Sequence, residues 1–165
     1  MTESPSNSDD LPVTLVSACL LGRRCRYNAE VRVSTSCLDA AEKAARRWVS
    51  VCPEELGGLS TPRPAADIDA GFDGEDVLDG RARVRTVEGD DVTREFLEGA
   101  KAAAHEGLRR GATRAVLKSR SPSCGCGELS RSDGTRDPGW GVFAALLRRH
   151  GVEVDAADFD PREPS

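Results

Sequence analysis

The sequence predicts a single α/β domain built on a mostly parallel sheet, and three observations carry that expectation. Short apolar runs of strand character recur at 13–18, 48–51, 114–118 and 152–154. Helix-forming stretches at 37–47, 92–110 and 140–149 separate them, so strands and helices alternate. The first three strands each end in a cysteine-bearing turn: Cys19 before Leu20-Leu21-Gly22, Cys52 before Pro53-Glu54-Glu55-Leu56-Gly57-Gly58, and Cys124 within Ser121-Pro122-Ser123-Cys124-Gly125. Strands that alternate with helices pair in parallel with helices on both faces, a Rossmann-like arrangement. Right-handed crossovers then put every strand's C-terminal end on one edge. Cys19, Cys52 and Cys124 are therefore expected to meet on that edge, where open α/β sheets bind ligands.

Each element has its own local reason. Strand 13–18 leads into a loop at 20–36 that carries Arg23, Arg24, Cys25, Arg26 and Tyr27. Residues 37–47 are strong helix formers, with Thr35 or Ser36 as N-cap and cations at the C-terminal end, where the helix dipole favours them. After strand 48–51, the segment 53–70 holds Gly57-Gly58 and Thr61-Pro62-Arg63-Pro64 and reads as a rigid loop. Residues 71–90 are rich in Gly and Asp; Val77-Leu78 and Ala82 to Val87, around Asp79-Gly80, predict a small hairpin insertion over the sheet edge. Asp91 is placed to cap a helix over 92–110, where Phe96, Ala100, Ala104 and Leu108 form one apolar stripe and Gly111 is the stop. Residues 128–139 read as a polar loop, and 140–149 as a helix with Val142, Phe143, Leu146 and Leu147 on its apolar face. The ends, 1–11 and 158–165, read as disordered tails that leave one domain over 12–157.

A chain of 165 residues suits one domain with a sizeable core. Its net charge of −5 argues against a nucleic-acid polymer or a membrane as partner, since both ask for a basic surface. No apolar run approaches the roughly 20 residues of a membrane helix. The polar start lacks the apolar core of a signal peptide, so the expected location is cytoplasmic. In that reducing compartment the six cysteines are free, catalytic or metal-bound, not a disulfide framework. No Cys-x-x-Cys pair occurs, so a zinc ribbon or thioredoxin-like site has little support.

A single cysteine at a strand end is more often a small buried hydrophobe than a ligand. Three of them, each followed by Gly or Pro turn chemistry, favour a shared site. Three thiolates on one edge can hold three irons of a cubane and leave the fourth open, as a catalytic site requires. Cys37 falls in a helix and reads as packing, Cys25 is either a fourth ligand or an exposed thiol, and Cys126 is either a competitor for metal or incidental. Glu54, two residues beyond Cys52, is either a proton carrier beside the site or a surface carboxylate. Ser121 and Ser123 either hydrogen-bond a ligand or only stabilise their turn. Lys118 and Arg120, with Arg26 or Arg63 opposite, either hold a phosphate or pair with acids such as Asp133.

Four stretches together resemble one family. They are Ser17-Ala18-Cys19-Leu20-Leu21-Gly22 with Cys25-Arg26-Tyr27; Val51-Cys52-Pro53-Glu54 with Gly57 to Pro64; Gly89 to Thr93 with Phe96 and Gly99-Ala100; and Leu117 to Gly125. In this order they are similar to the TudS-type thiouracil desulfidases, formerly a domain of unknown function, over roughly residues 13–154. The resemblance implies a 4Fe–4S enzyme whose cluster is held by Cys19, Cys52 and Cys124, with one open iron that takes the sulfur of a thiolated pyrimidine. It implies Glu54 and Ser121 or Ser123 as the catalytic partners. Known substrates of that family include 2- and 4-thiouracil and 4-thiouridine monophosphate. The chain departs from the pattern at Asn28-Ala29, where the family has Asp-Gly, at Ser132-Asp133-Gly134, which lacks a preceding aromatic, and at Cys126.

Two functions follow as expectations. One is a desulfidase that replaces C=S by C=O on a thiolated base or nucleotide, a small-molecule substrate. The other is a non-catalytic structural or sensory module in which Cys19, Cys25, Cys52 and Cys124 close a zinc or iron–sulfur site. The open ligand position separates them.

Overall fold

The structure is a computed structural model and describes residues 13–20 and 47–157. The helix expected at 37–47, the tails, and Arg26, Cys25, Cys37 and Asn28-Ala29 lie outside the described residues.

Strands β1 (Val13–Ser17), β2 (Arg47–Val51), β5 (Arg114–Lys118) and β8 (Glu153–Ala157) form one sheet in the order β2-β1-β5-β8. All three pairings are parallel, with Thr14 opposite both Trp48 and Arg114, and Val116 opposite Asp155. Every residue of β1 is buried, as a central strand covered on both faces must be. The period of two sends Val13, Leu15, Ala115 and Leu117 to the main core, and Val16 and Val116 to a second cluster with Leu20 and Ala157. The chain leaves β1 toward β2 on one side and later returns to β5 on the other. The gap between the C-terminal ends of β1 and β5 is therefore a topological switch point.

The main-core face is covered by α3 (Thr93–Arg109) and α4 (Val142–Arg149). Asp91 Oδ1 accepts from the Thr93 hydroxyl at 2.6 Å and its N–H at 3.0 Å; these bonds, with Arg83, hold the Asp91 carboxyl well below the usual carboxylate range. The expected stripe Phe96, Ala100 and Ala104 is buried, but Leu108 stands at the rim, 36% exposed. Small residues complete the buried face: Gly99, Ala103 and Gly107. They let α3 ride close to its neighbours, since a Cβ on Gly107 would lie 2.4 Å from Leu15 Cδ1.

Three local expectations are corrected. The segment after Cys52 is not all loop: Pro53–Leu56 is a one-turn helix, α1, with Pro at its first position. Val77-Leu78 are helical, not strand, because Asp73 begins a capping box with Asp76 and starts α2 (Gly74–Leu78). The antiparallel pair of the insertion is instead β3 (Ala66–Ile68) with β4 (Val84–Thr86). Residues 128–139, expected as a loop, form a hairpin of β6 (Glu128–Ser130) and β7 (Arg136–Pro138), whose turn Asp133 fastens by accepting from Thr135 N–H and hydroxyl.

The closest helix crossing sets the position of the Cys52 motif. A Cβ on Gly99 would lie 1.8 Å from Pro53 O, and one on Gly57 would lie 1.9 Å from Glu95 O. Both helices leave only hydrogen atoms at the crossing. Gly99→Ala must lift α1 from α3, and a loss of about 1–3 kcal/mol is expected, as for overpacking elsewhere. It is read as a lower urea midpoint with unchanged slope; an unshifted midpoint would contradict so close a crossing.

Candidate active site

The cavity at the switch point has a volume of about 490 Å³. Cys19, Cys52 and Cys124 all line it, together with Glu54, Ser121, Ser123, Lys118, Arg120 and Arg63. The strand-end expectation is thus met in its geometry: each of these cysteines follows its strand and none lies on the far edge. Ala18 and Cys52 form one small buried cluster, and Cys19 packs against it. Cys126 is not among the lining residues; it packs at the core and its thiol donates to Cys124 O at 3.3 Å.

The turn that carries Cys124 is fixed by backbone on both sides. Helix α4 begins with free N–H groups. Val142 N donates to Pro122 O at 2.9 Å, and Phe143 N and Ala144 N both donate to Ser123 O, at 2.9 and 3.1 Å. Gly141 N donates to Gly125 O at 2.8 Å. Such an approach requires glycine: a Cβ on Gly141 would lie 2.4 Å from the Ser123 carbonyl. On the strand side, Arg120 takes up a left-handed φ of 63°, so β5 stops and the chain turns across the cavity mouth. Lys118 and Arg120 therefore do not sit as alternate residues of one strand, yet both reach the cavity wall. The far wall comes from the β6–β7 hairpin through Ser130, Arg131, Ser132 and Arg136.

Inside the turn, Ser121 Oγ accepts from the N–H groups of Ser123 and Cys124, each at 3.1 Å. The Ser121 and Ser123 hydroxyls lie 3.0 Å apart, and Ser123 donates to Glu54 Oε2 at 3.0 Å. With that proton given to Glu54, Ser121 is the donor to Ser123. The two motifs, 69 residues apart in sequence, are joined at this carboxylate. On its other oxygen, Oε1, Glu54 accepts from Arg63 Nε at 3.1 Å. Lys118 Nζ donates to Ser119 O at 3.1 Å. Asp133, weighed as a partner for Lys118 and Arg120, serves its own turn instead.

Burial pushes the Cys124 thiol up to about 12, with Cys52 and Glu54 adding to the rise; the Ser17 and Ser123 hydroxyls pull it back. Ser17 is the site residue whose own part sequence reasoning missed. It is 2% exposed, bonds to Cys124, and its Oγ accepts from Lys118 N at 2.9 Å. Its only signal was position: a hydroxyl residue at the end of its strand, two residues before Cys19. Gly141 was missed too, because its partner turn is 16 or more residues upstream and nothing local marks it.

The donor set fits an iron–sulfur cluster. It is all thiol, presented from three separate strand ends around a roomy cavity, with hydroxyls as neighbours. Among the described residues, no three His, Cys, Asp or Glu side chains converge as for a single metal ion. A cubane asks for a wider spacing, one thiolate per corner.

Fold and site thus define a parallel α/β protein with a three-thiol cavity at the switch point of its sheet. The chain belongs to the 2-thiouracil desulfurase family, whose model it matches over residues 14–158. It is 42% identical over 142 residues to the uncharacterized protein YbbK of Bacillus subtilis (strain 168), covering 85% of this chain and 92% of YbbK. It is also similar to the solved structure of TudS, a 4Fe-4S-dependent thiouracil desulfidase. That match has a TM-score of 0.72 and 41% identity, and spans 88% of this chain and 90% of the other.

Ser17→Ala leaves the half-buried N–H of Lys118 without its acceptor. A loss of about 1–3 kcal/mol is expected for such an orphaned donor, measured as the urea midpoint of the metal-free protein. A neutral result would show that another group accepts from that N–H.

Proposed function

We propose that this protein is a 4Fe–4S-dependent desulfidase that converts C=S to C=O on a thiolated pyrimidine base or nucleotide and releases sulfide. One observation carries the reading: three thiols from three strand ends line a cavity in which a seryl–carboxylate chain is already assembled. Family membership and the likeness to TudS support it.

Cys19, Cys52 and Cys124 would hold the cluster. When bound through three thiolates, it supplies one iron without a protein ligand, a Lewis acid for a thiocarbonyl sulfur. The remaining steps belong to the chain. Glu54 takes a proton from the water that attacks the carbon. Oε2 is the oxygen aimed at Ser123, so the proton arrives where a hydroxyl can pass one on. Ser123 and Ser121, the latter held at its Oγ by two backbone N–H groups, complete the relay toward the leaving sulfur. The water oxygen becomes the carbonyl oxygen, sulfur departs as sulfide with the water's protons, and no electrons are exchanged.

Anaerobic reconstitution with iron and sulfide should give a coloured protein that releases sulfide from 2-thiouracil, 4-thiouracil or 4-thiouridine monophosphate. Glu54→Gln should lower turnover by about 10²–10⁴-fold, the range for a lost general base. A colourless zinc protein without turnover would sink the desulfidase reading and favour the closed four-thiolate module.

Lys118 and Arg120 are the proposed anion contacts for a nucleotide substrate. Both line the cavity beside the Cys124 turn, while Arg26, expected opposite, lies outside the described residues. A lost charge-assisted contact is worth about 1.5–3 kcal/mol, roughly ten- to a hundredfold. Arg120→Gln should therefore raise KM for 4-thiouridine monophosphate by about that factor and leave free thiouracil little changed. An equal loss for both would mean that Arg120 supports the turn instead.

A further inference from the structure

Arg63 was expected to meet a substrate phosphate, but its surroundings assign it elsewhere. Its side chain is only 5% exposed. Pro62 and Pro64 stiffen the backbone on either side. Its NH1 donates to Ser60 O at 3.0 Å and to Thr61 Oγ1 at 2.9 Å, so the guanidinium is fixed by its own loop. Thr61 in turn donates to Glu55 Oε2 at 2.6 Å, which ties that loop back to α1. From this fixed base, Nε meets Glu54 Oε1. Glu54 is thereby held at both oxygens: a cation on Oε1, a hydroxyl on Oε2. A carboxylate held on one side only is free to rotate about its last torsion; held on both, it is not.

A second observation concerns what lies behind the pair. A cavity of about 150 Å³ backs onto it, walled by Leu59, Thr86, Asp90, Val92 and Phe96. Glu54 and Arg63 line both cavities and so form part of the partition between them.

We propose that Arg63 is a positioning residue: it acts through Glu54, keeping Oε2 on Ser123 and closing the site from behind, and does not bind substrate. This rests on the desulfidase reading for its effect on turnover, and on the geometry alone for the Arg63–Glu54 coupling.

The test is a double-mutant cycle of Arg63→Met and Glu54→Gln, made on the reconstituted enzyme and on the metal-free protein. In the enzyme, Arg63→Met should lower kcat by about 10–100-fold, the scale of a misplaced catalytic group. KM for 4-thiouracil and for 4-thiouridine monophosphate should each stay within about twofold. On the Glu54→Gln background the same change should cost less than about threefold. Arg63→Lys, which keeps the charge but not the fork, should recover part of the loss. In the metal-free protein, the urea-midpoint shifts of the two substitutions should be clearly non-additive. A KM rise confined to the nucleotide, with kcat unchanged, would overturn the proposal in favour of phosphate binding. Additive midpoint shifts would overturn it as well. If the wild-type holoenzyme releases no sulfide, the desulfidase reading fails, and the metal-free cycle still decides whether Arg63 and Glu54 are coupled.

Discussion

The site depends first on the backbone junction between the Ser-Pro-Ser-Cys turn and the start of α4. A helix begins with N–H groups that its own turns cannot satisfy. Here the carbonyls of Pro122 and Ser123 accept three of them. The turn and the helix complete each other's hydrogen bonds. These backbone bonds fix the path of the turn from outside, and Ser121 Oγ, which accepts from Ser123 and Cys124 N–H, fixes it from inside. Ser121, Ser123 and Cys124 all line the cavity. The close approach explains the bare glycine at 141, and why Gly74 packs in turn on Gly141, where a Cβ would lie 2.4 Å from its carbonyl carbon. Insertion helix α2 is thus stacked behind the same junction.

A second frame, made the same way, holds the other half of the site. Gly57 and Gly99 allow α1 and α3 to touch backbone to backbone. This places Cys52 at the end of β2 and Glu54 two residues further, on the cavity wall. The two frames share the main core, and at the cavity Ser123 meets Glu54 and joins them. That one hydrogen bond reports whether both frames are correctly set, and the proposed proton chemistry runs through it.

The parallel sheet, the order of its strands and helices, and the gathering of three cysteines were legible because each rests on local pattern: apolar runs of strand length, and Gly or Pro turns at their ends. The helix at 93–109 was legible for the same reason, although its N-cap is Val92 and Asp91, expected as the cap, accepts from Thr93 from one residue further out. What could not be read depends on partners far away in sequence. Val77-Leu78 look like strand by residue type, and only the reciprocal bonds of Asp73 and Asp76 make them helix. Residues 128–139 carry few apolar side chains, since their hairpin needs one buried anchor only, Leu129. Lys118 and Arg120 reach one wall although the strand ends between them, and the left-handed turn at Arg120 has no mark in residue type. Gly99 lies inside a helix pattern where no local feature asks for glycine; its purpose appears only when Pro53 is laid across it.

Charge is the last element, and it runs against the chain as a whole. The protein carries a net charge of −5, which by itself repels anions. The described cavity wall reverses that balance with five basic side chains, Arg63, Lys118, Arg120, Arg131 and Arg136, against two carboxylates, Glu54 and Asp67. They are not equivalent. Arg131 is committed to the fold, bonded to Asp137 and to the carbonyls of Ile68 and Phe72. Arg63 is turned to Glu54. Each committed cation still contributes to the field within the low-dielectric cavity. A cavity that collected the three thiolates, the carboxylate and the anionic product proposed above would need such a field, because every one of those charges raises the cost of the next. The fixed cations lower that cost, and they do so from positions the fold has already set. Local positive charge inside an acidic protein is therefore part of how a thiol-rich cavity is kept habitable for anions.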